Sequence, residues 1–394
     1  MRTLFHLDEI ILAITLLLMI SAVAIPLARK FGMGADLGLL LAGIIMGSSH
    51  LLGPTQVERL REVSELGVVF FLFLIGLELD LRKVWSLRRY AVVLGTLQVL
   101  VTGFVLMFYW RLFAPSWSLA LLLGLVISSS STALVLQMLA AKGELEQEHG
   151  RAAFGVLLFQ DVAVVPIMVL IPVFAGTGSA ESISWWDTGG AIGIMLILFG
   201  IGRWVCPWLL RLTLARNMTE SFTAMIFIAI LGSAWLASRA GLSMALGAFL
   251  MGLAFSGTAH RHGIEQEVTP FKNLLLALFF VSVGLSLDLT VLAGHTAKLL
   301  MHVLVIVVVK TVVLYAAARS LYMEHRQAVR LSFLLSQGGE FGFVILSTLL
   351  ASGVVTPLQF ASGTMVIALT MIATPLLDRI GITLSRRAAY RRLQ

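Results

Sequence analysis

Polar residues are sparse along this chain and cluster between long apolar runs. Most of these runs approach the roughly 20 residues that a helix needs to cross a hydrocarbon layer of about 30 Å. Runs near 8 to 27, 35 to 49, 64 to 79, 90 to 112, 118 to 139, 152 to 175, 188 to 213, 219 to 238, 243 to 256, 270 to 287, 296 to 319, 326 to 350 and 359 to 384 predict thirteen transmembrane helices. The runs at 35 to 49 and 243 to 256 are short and glycine-rich, as in tilted or closely packed membrane helices. The expected fold is an all-α polytopic membrane protein.

Two interruptions carry more information than the runs themselves. ISSSSTA (127 to 133) breaks the fifth span and LSQGGEF (335 to 341) breaks the twelfth. Hydroxyls and paired glycines lower helix preference, and hydroxyls supply partners to freed backbone groups. The two lie about 208 residues apart, the offset that also aligns GVVFFLFLIGLELDL (67 to 81) with LLLALFFVSVGLSLDL (274 to 289). Spans related by this offset are seven apart and cross the membrane in opposite directions. The expected organisation is one transporter domain over 1 to 394, with inverted repeats at about 35 to 175 and 243 to 384 joined by linking helices at about 188 to 238. Two broken helices crossing at mid-membrane set opposed half-helix dipoles side by side, and Glu340 is placed to compensate the positive ends of span twelve.

Composition agrees: 59% of residues are hydrophobic, 12% are charged and the mean hydropathy is +0.97, against about 25% charged residues in ordinary soluble domains. The net charge of +7 is explained by orientation, because 21 basic residues fall in loops on one side and six on the other. The positive-inside rule then places the N-terminus outside and the C-terminus in the cytoplasm, with no need of a nucleic-acid partner. The single cysteine, Cys206, excludes an intrachain disulfide and a multi-cysteine metal site. No H-E-x-x-H, no G-x-S-x-G and no second intramembrane aspartate to pair with Asp161 is present, so the expectation is not an enzyme.

Two charges then stand out within the apolar runs. Asp161, in LLFQDVAVVP, and Lys310, in VIVVVKTVVLY, both lie near the middle of a span. A central charge costs about 2.5 to 3.5 kcal/mol on insertion scales, so it is usually functional and faces protein or a wet cavity. The expectation is an exchangeable Asp161 and Lys310 pair in which proton and cation compete for one carboxylate, the minimum apparatus of an antiporter. Gln160, an amide where a second carboxylate would give a stronger field, biases the site towards K⁺ over Na⁺. The expected ion ligands are Asp161, Gln160, Ser129, Ser130 and Thr132, with Asp161, Lys310 and Glu340 coupling charge and proton.

FLFLIGLELD, SSSSTALVLQ, GRAAFGVLLFQDVAVVP, TPFKNLLLALFFVSVGLSLDL and SQGGEFGF together resemble the membrane domain of Kef-type potassium efflux systems, in the second cation:proton antiporter family. The resemblance runs over residues 10 to 380 and rests most on the FQD and QGGEF motifs. It implies thirteen spans in a core and a dimerisation domain, a homodimer in a bacterial inner membrane, and K⁺/H⁺ exchange centred on Gln160 and Asp161. Lys310 matches that family's membrane-embedded lysine. Such systems carry a cytosolic Rossmann-type domain where glutathione and its adducts act. This chain ends at Gln394 without a G-x-G-x-x-G, so nucleotide and glutathione bear on it only through a separate regulatory domain or subunit. The resemblance also implies a regulatory loop, here RHGIEQEVTPFK, with Arg261, His262, Glu265 and Glu267. The expected activity is K⁺/H⁺ antiport by alternating access, with K⁺ as substrate at Asp161 and no cofactor. Na⁺/H⁺ antiport on the same fold and ligand-gated K⁺ efflux of channel type are the alternatives.

Overall fold

In this computed structural model, residues 15, 18–28, 30, 34–48, 54–78, 89–175, 193, 197, 199–205, 219–239, 244–285 and 294–390 are described. Among them the regular structure is helical, with no strand. The helices are α1 (Leu18–Ala28), α2 (Ala35–Ser48), α3 (Pro54–Glu78), α4 (Gly95–Trp110), α5 (Trp117–Ser128), α6 (Thr132–Ala141), α7 (Glu148–Ala175), α8 (Thr219–Arg239), α9 (Met244–Ser256), α10 (Arg261–Leu285), α11 (Thr296–Ser320), α12 (His325–Leu334), α13 (Phe341–Ala351) and α14 (Pro357–Tyr390). A π-helical turn, Arg89–Leu94, leads into α4, and a second spans Ile201–Val205. Seven stretches among the described residues are long and apolar enough to cross a membrane, and shorter apolar helices accompany them. Most of the expected span at 188 to 213, Cys206, and the ends of the GLELDL and GLSLDL signatures lie outside the described residues.

Many observed helices coincide with the predicted spans to within a few residues, but α3 begins at Pro54, before the expected 64, and α10 at Arg261, before the expected 270. Part of the first predicted span and most of the seventh lie outside the described residues. The expected regulatory loop is helical: Arg261, His262, Glu265 and Glu267 form the first two turns of α10, and the connection from α9 is only the turn around Gly257 to His260. The sequence marks Pro270 as the region where helix begins, but α10 runs through it. Proline removes a single N–H, and Thr269 Oγ1 donates to the Glu265 carbonyl at 2.6 Å, adding a side-chain bond in that turn. His262 Nδ1 lies 3.5 Å from Glu265, one helical turn on.

The chain forms two compact units. The first comprises residues 1–21, 45–80 and 176–285. Its core is apolar: Phe73, Leu77, Ile226, Ile230, Ala248 and Phe255 are fully buried, and Phe70 and Phe227 meet with ring centroids 5.1 Å apart. Here α3 and α9 touch backbone to backbone. A Cβ on Gly252 would overlap the Phe73 carbonyl, and one on Gly76 would overlap the Phe249 carbonyl. Close approach of this kind is how small residues bind membrane helices together, and it explains why the short span at 244 to 256 is rich in glycine.

The second unit comprises residues 22–44, 81–175 and 286–394. Its apolar core, with Val135, Leu157, Leu314, Leu331 and Leu335, surrounds two broken helices. The α5 helix ends because Ser129 adopts an extended backbone (φ −67°, ψ 154°), and α6 restarts with Ser131 as cap, its Oγ accepting from Leu134 N at 3.3 Å. The second break separates α12 from α13 through Leu335 to Glu340. A cluster of ion pairs, with Arg330 and Asp378 buried and Lys142 at the surface, lies at the far end of α6. Lys142 pairs with Asp378, Arg330 pairs with Glu144, and Arg330 also lies 3.6 Å from Asp378. Arg330 and Lys142, counted from the sequence as loop charges, are thus committed to carboxylates.

Candidate ion-binding site

The two breaks meet. Ser130 Oγ donates to the Leu335 carbonyl at 2.8 Å, and a Cβ on Gly339 would stand only 2.8 Å from the Ser130 backbone, so glycine is required there for the approach. Breaking a helix in an apolar surround frees carbonyls at one end and N–H groups at the other, and each must find a partner.

Lys310 serves the carbonyl ends. It is fully buried on α11, and Nζ donates to Ile127 O (3.1 Å), Ser129 O (2.7 Å), Ser130 Oγ (3.0 Å) and Gln337 O (2.5 Å). One ammonium therefore neutralises the negative ends of α5 and of the α12 side of the second break. The four oxygens around Nζ are three carbonyls and a hydroxyl, and the three ammonium protons are shared among them.

Glu340 serves the positive ends. It is buried at the start of α13, and its carboxylate faces the first turn of α6, towards the Ser131 side chain and the N–H groups of Thr132 and Ala133. The sequence anticipated compensation within its own span; the structure adds the partner span. Its Oε2 and both side-chain polar atoms of Gln337 have no hydrogen-bond partner among the described residues.

Asp161 stands on α7 and, unlike Gln160 beside it, is half-buried. Thr132 Oγ1, from the first residue of α6, donates to Asp161 Oδ1 at 3.0 Å. A hydroxyl that gives its proton to a carboxylate keeps its lone pairs, so both side chains present oxygens at this point. The other expected ligands are brought to the same place but turned elsewhere. Ser129 Oγ donates back to Val126 O at 2.9 Å, and Ser130 Oγ joins Leu335 and Lys310. Gln160 Oε1 accepts from Ser130 N at 2.8 Å.

One residue that the charge-based reading misses completes the arrangement. Gln98, fully buried on α4, accepts from Gln160 Nε2 at 2.6 Å and donates to the Ser128 carbonyl at 2.8 Å. Its signal was present: an uncharged amide in LGTLQVLVTG, as deep in an apolar run as Gln160. Arg261, His262, Glu265 and Glu267 belong to the other unit, where the Arg261 guanidinium donates to Glu78 O at 2.9 Å and Glu267 accepts from Thr223 Oγ1 at 2.7 Å.

The family model "Sodium/hydrogen exchanger, transmembrane" matches residues 15–379. The chain belongs to the sodium/hydrogen exchanger family. The exchanger is therefore a multi-pass membrane transporter of the cation/proton antiporter type and not an enzyme. Its fold is similar to the sodium proton antiporter MjNhaP1 from Methanocaldococcus jannaschii at pH 8, with 16% identity and a TM-score of 0.66 over 98% of this chain and 100% of that one. A three-dimensional electron-microscopy map of the same antiporter gives 14% identity and a TM-score of 0.56, over 99% and 97%.

Proposed function

We propose that this exchanger carries K⁺ against H⁺, with the two competing for the Asp161 carboxylate. The observation that carries the reading is the half-buried Asp161, which accepts from the Thr132 hydroxyl at the margin of a broken helix. Lys310 and Glu340 face the backbone ends at the breaks. Asp161 and Thr132 supply ligands to the cation. Gln160, Ser129 and Ser130 shape the wall behind it. An amide beside the carboxylate, in place of a second acid, supports the weaker-field preference for K⁺.

The Kef-type resemblance extends the proposal. It adds a homodimer in a bacterial inner membrane and regulation through a cytosolic domain or subunit near Arg261, His262, Glu265 and Glu267. Self-similarity supports the inverted repeats over 35 to 175 and 243 to 384, and the loop charges support the N-out, C-in orientation. Na⁺ is the second reading, favoured by the family's description and by the sodium proton antiporters of similar fold. Proteoliposomes with an imposed pH gradient separate the two. K⁺ is expected to dissipate the gradient more effectively than Na⁺, and Asp161→Asn to abolish both. Preference for Na⁺ would replace the substrate and keep the mechanism, whereas full exchange by Asp161→Asn would remove the mechanism.

A further inference from the structure

We propose that Gln98 is a positioning residue that sets the cation preference by fixing the distance between α7 and the first break. The proposal rests on the reading that Asp161 binds the cation. Two consecutive residues of α7 hold two nearby points of the break: Gln160 takes the Ser130 N–H at 2.8 Å and Asp161 takes the Thr132 hydroxyl at 3.0 Å. The width of an oxygen cage between Thr132 and Asp161 therefore depends on the seat of Gln160.

Gln160 does not hold that seat alone. Its Nε2 donates to Gln98 Oε1 at 2.6 Å, and Gln98 Nε2 in turn donates to Ser128 O at 2.8 Å and lies 3.4 Å from Thr102 Oγ1. The ring closes on the backbone: a Ser130 N–H at one end and a Ser128 carbonyl at the other, two residues apart. These ends dictate both amide orientations. Turning Gln160 over sets its NH₂ against the Ser130 N–H, and turning Gln98 over sets its oxygen against the Ser128 carbonyl. Gln98 and Gln160 are both buried, so either error would leave polar groups unpaired away from water. With Ser128 O on Gln98, and Ile127 O and Ser129 O on Lys310, the last carbonyls of α5 each have a partner. The amide relay carries no net charge. It acts on the dimensions of the cage and not on its proton chemistry, so it is expected to move ion preference and leave the pH profile in place.

The test is Gln98→Met, similar in length but unable to hold either partner, reconstituted in proteoliposomes with KM and maximal rate measured separately for K⁺ and Na⁺. The expected result is a change of roughly tenfold in the ratio of the two apparent KM values, the scale of one lost buried hydrogen bond, with the maximal rate and the pH profile little changed. Combined with Gln160→Met, the double variant is expected to be no worse than Gln160→Met alone, because a relay once broken cannot be broken again. Should Gln98→Met fail to fold by thermal melting, Gln98→Asn keeps a neutral amide but is one methylene too short to hold both Gln160 and Ser128 O, and the same shift in the KM ratio is expected. A folded Gln98 variant with the unaltered K⁺ to Na⁺ ratio, or effects that multiply in the double variant, overturns the proposal. Asp161→Asn separates the two levels: if it is inactive while Gln98 variants keep the original preference, only the role of Gln98 fails. If it still exchanges, the reading beneath fails as well.

Discussion

The seam between α3 and α9 in the first unit and the meeting of the two breaks in the second hold membrane helices together by opposite means. The first uses glycine against carbonyl and phenylalanine against phenylalanine, with Phe73 and Phe255 at 6.1 Å. The second buries Lys310, Glu340, Gln98 and Gln160 in the same apolar surround. Dispersion between small residues suffices to join helices in lipid, where burying apolar side chains gains little. Buried polar groups are needed only where the backbone has been opened. The difference teaches that polar groups buried at the breaks keep an opened backbone stable.

The largest expected effect distinguishes Asp161 from Lys310. Asp161→Asn is expected to abolish cation-driven proton movement while leaving the melting temperature close to that of the parent, since the amide still accepts from Thr132. Lys310→Met is expected to remove activity together with the fold. It strands acceptors at Ile127, Ser129 and Gln337, at about 1 to 3 kcal/mol for each buried group left unsatisfied. A Lys310→Met protein that melts like the parent would contradict the compensating role.

Smaller effects sharpen the contrast from the other side. Gly252→Ala inserts a methyl where the Phe73 carbonyl stands and is expected to cost about 1 to 3 kcal/mol of stability, seen as a lower melting temperature. The apparent KM for the cation is expected to stay as it was, because the seam holds no ligand. Thr132→Val preserves shape and removes the hydroxyl from Asp161. A rise of roughly tenfold in the apparent KM, with little change in melting temperature, is the expected result, measured by concentration series in proteoliposomes.

Much of this arrangement was legible in the residues. Span length and apolar continuity located the helices, and the serine run at 128 to 131 and the glycine pair at 338 and 339 located both breaks. Glu340 was recognisable as a counter-charge because opposed half-helices demand one. The partners of Lys310 were not legible, since a sequence gives the depth of a charge in its span but not which neighbour lies against it. Gln98 escaped because depth was used as a signal for charges and not for amides. The helix at Arg261 to Glu267 escaped because the apolar run begins only near 270 and the family resemblance implies a loop in the polar segment before it, whereas a helix can extend beyond its apolar run.

The central claim is competition at a single carboxylate, and the apparent KM for K⁺ as a function of pH in proteoliposomes tests it most directly. Protons that occupy Asp161 exclude the cation, so acidification is expected to raise the apparent KM while saturating K⁺ restores the maximal rate. A maximal rate that falls with pH at a constant apparent KM would show that protons act at some other place, and would contradict the account.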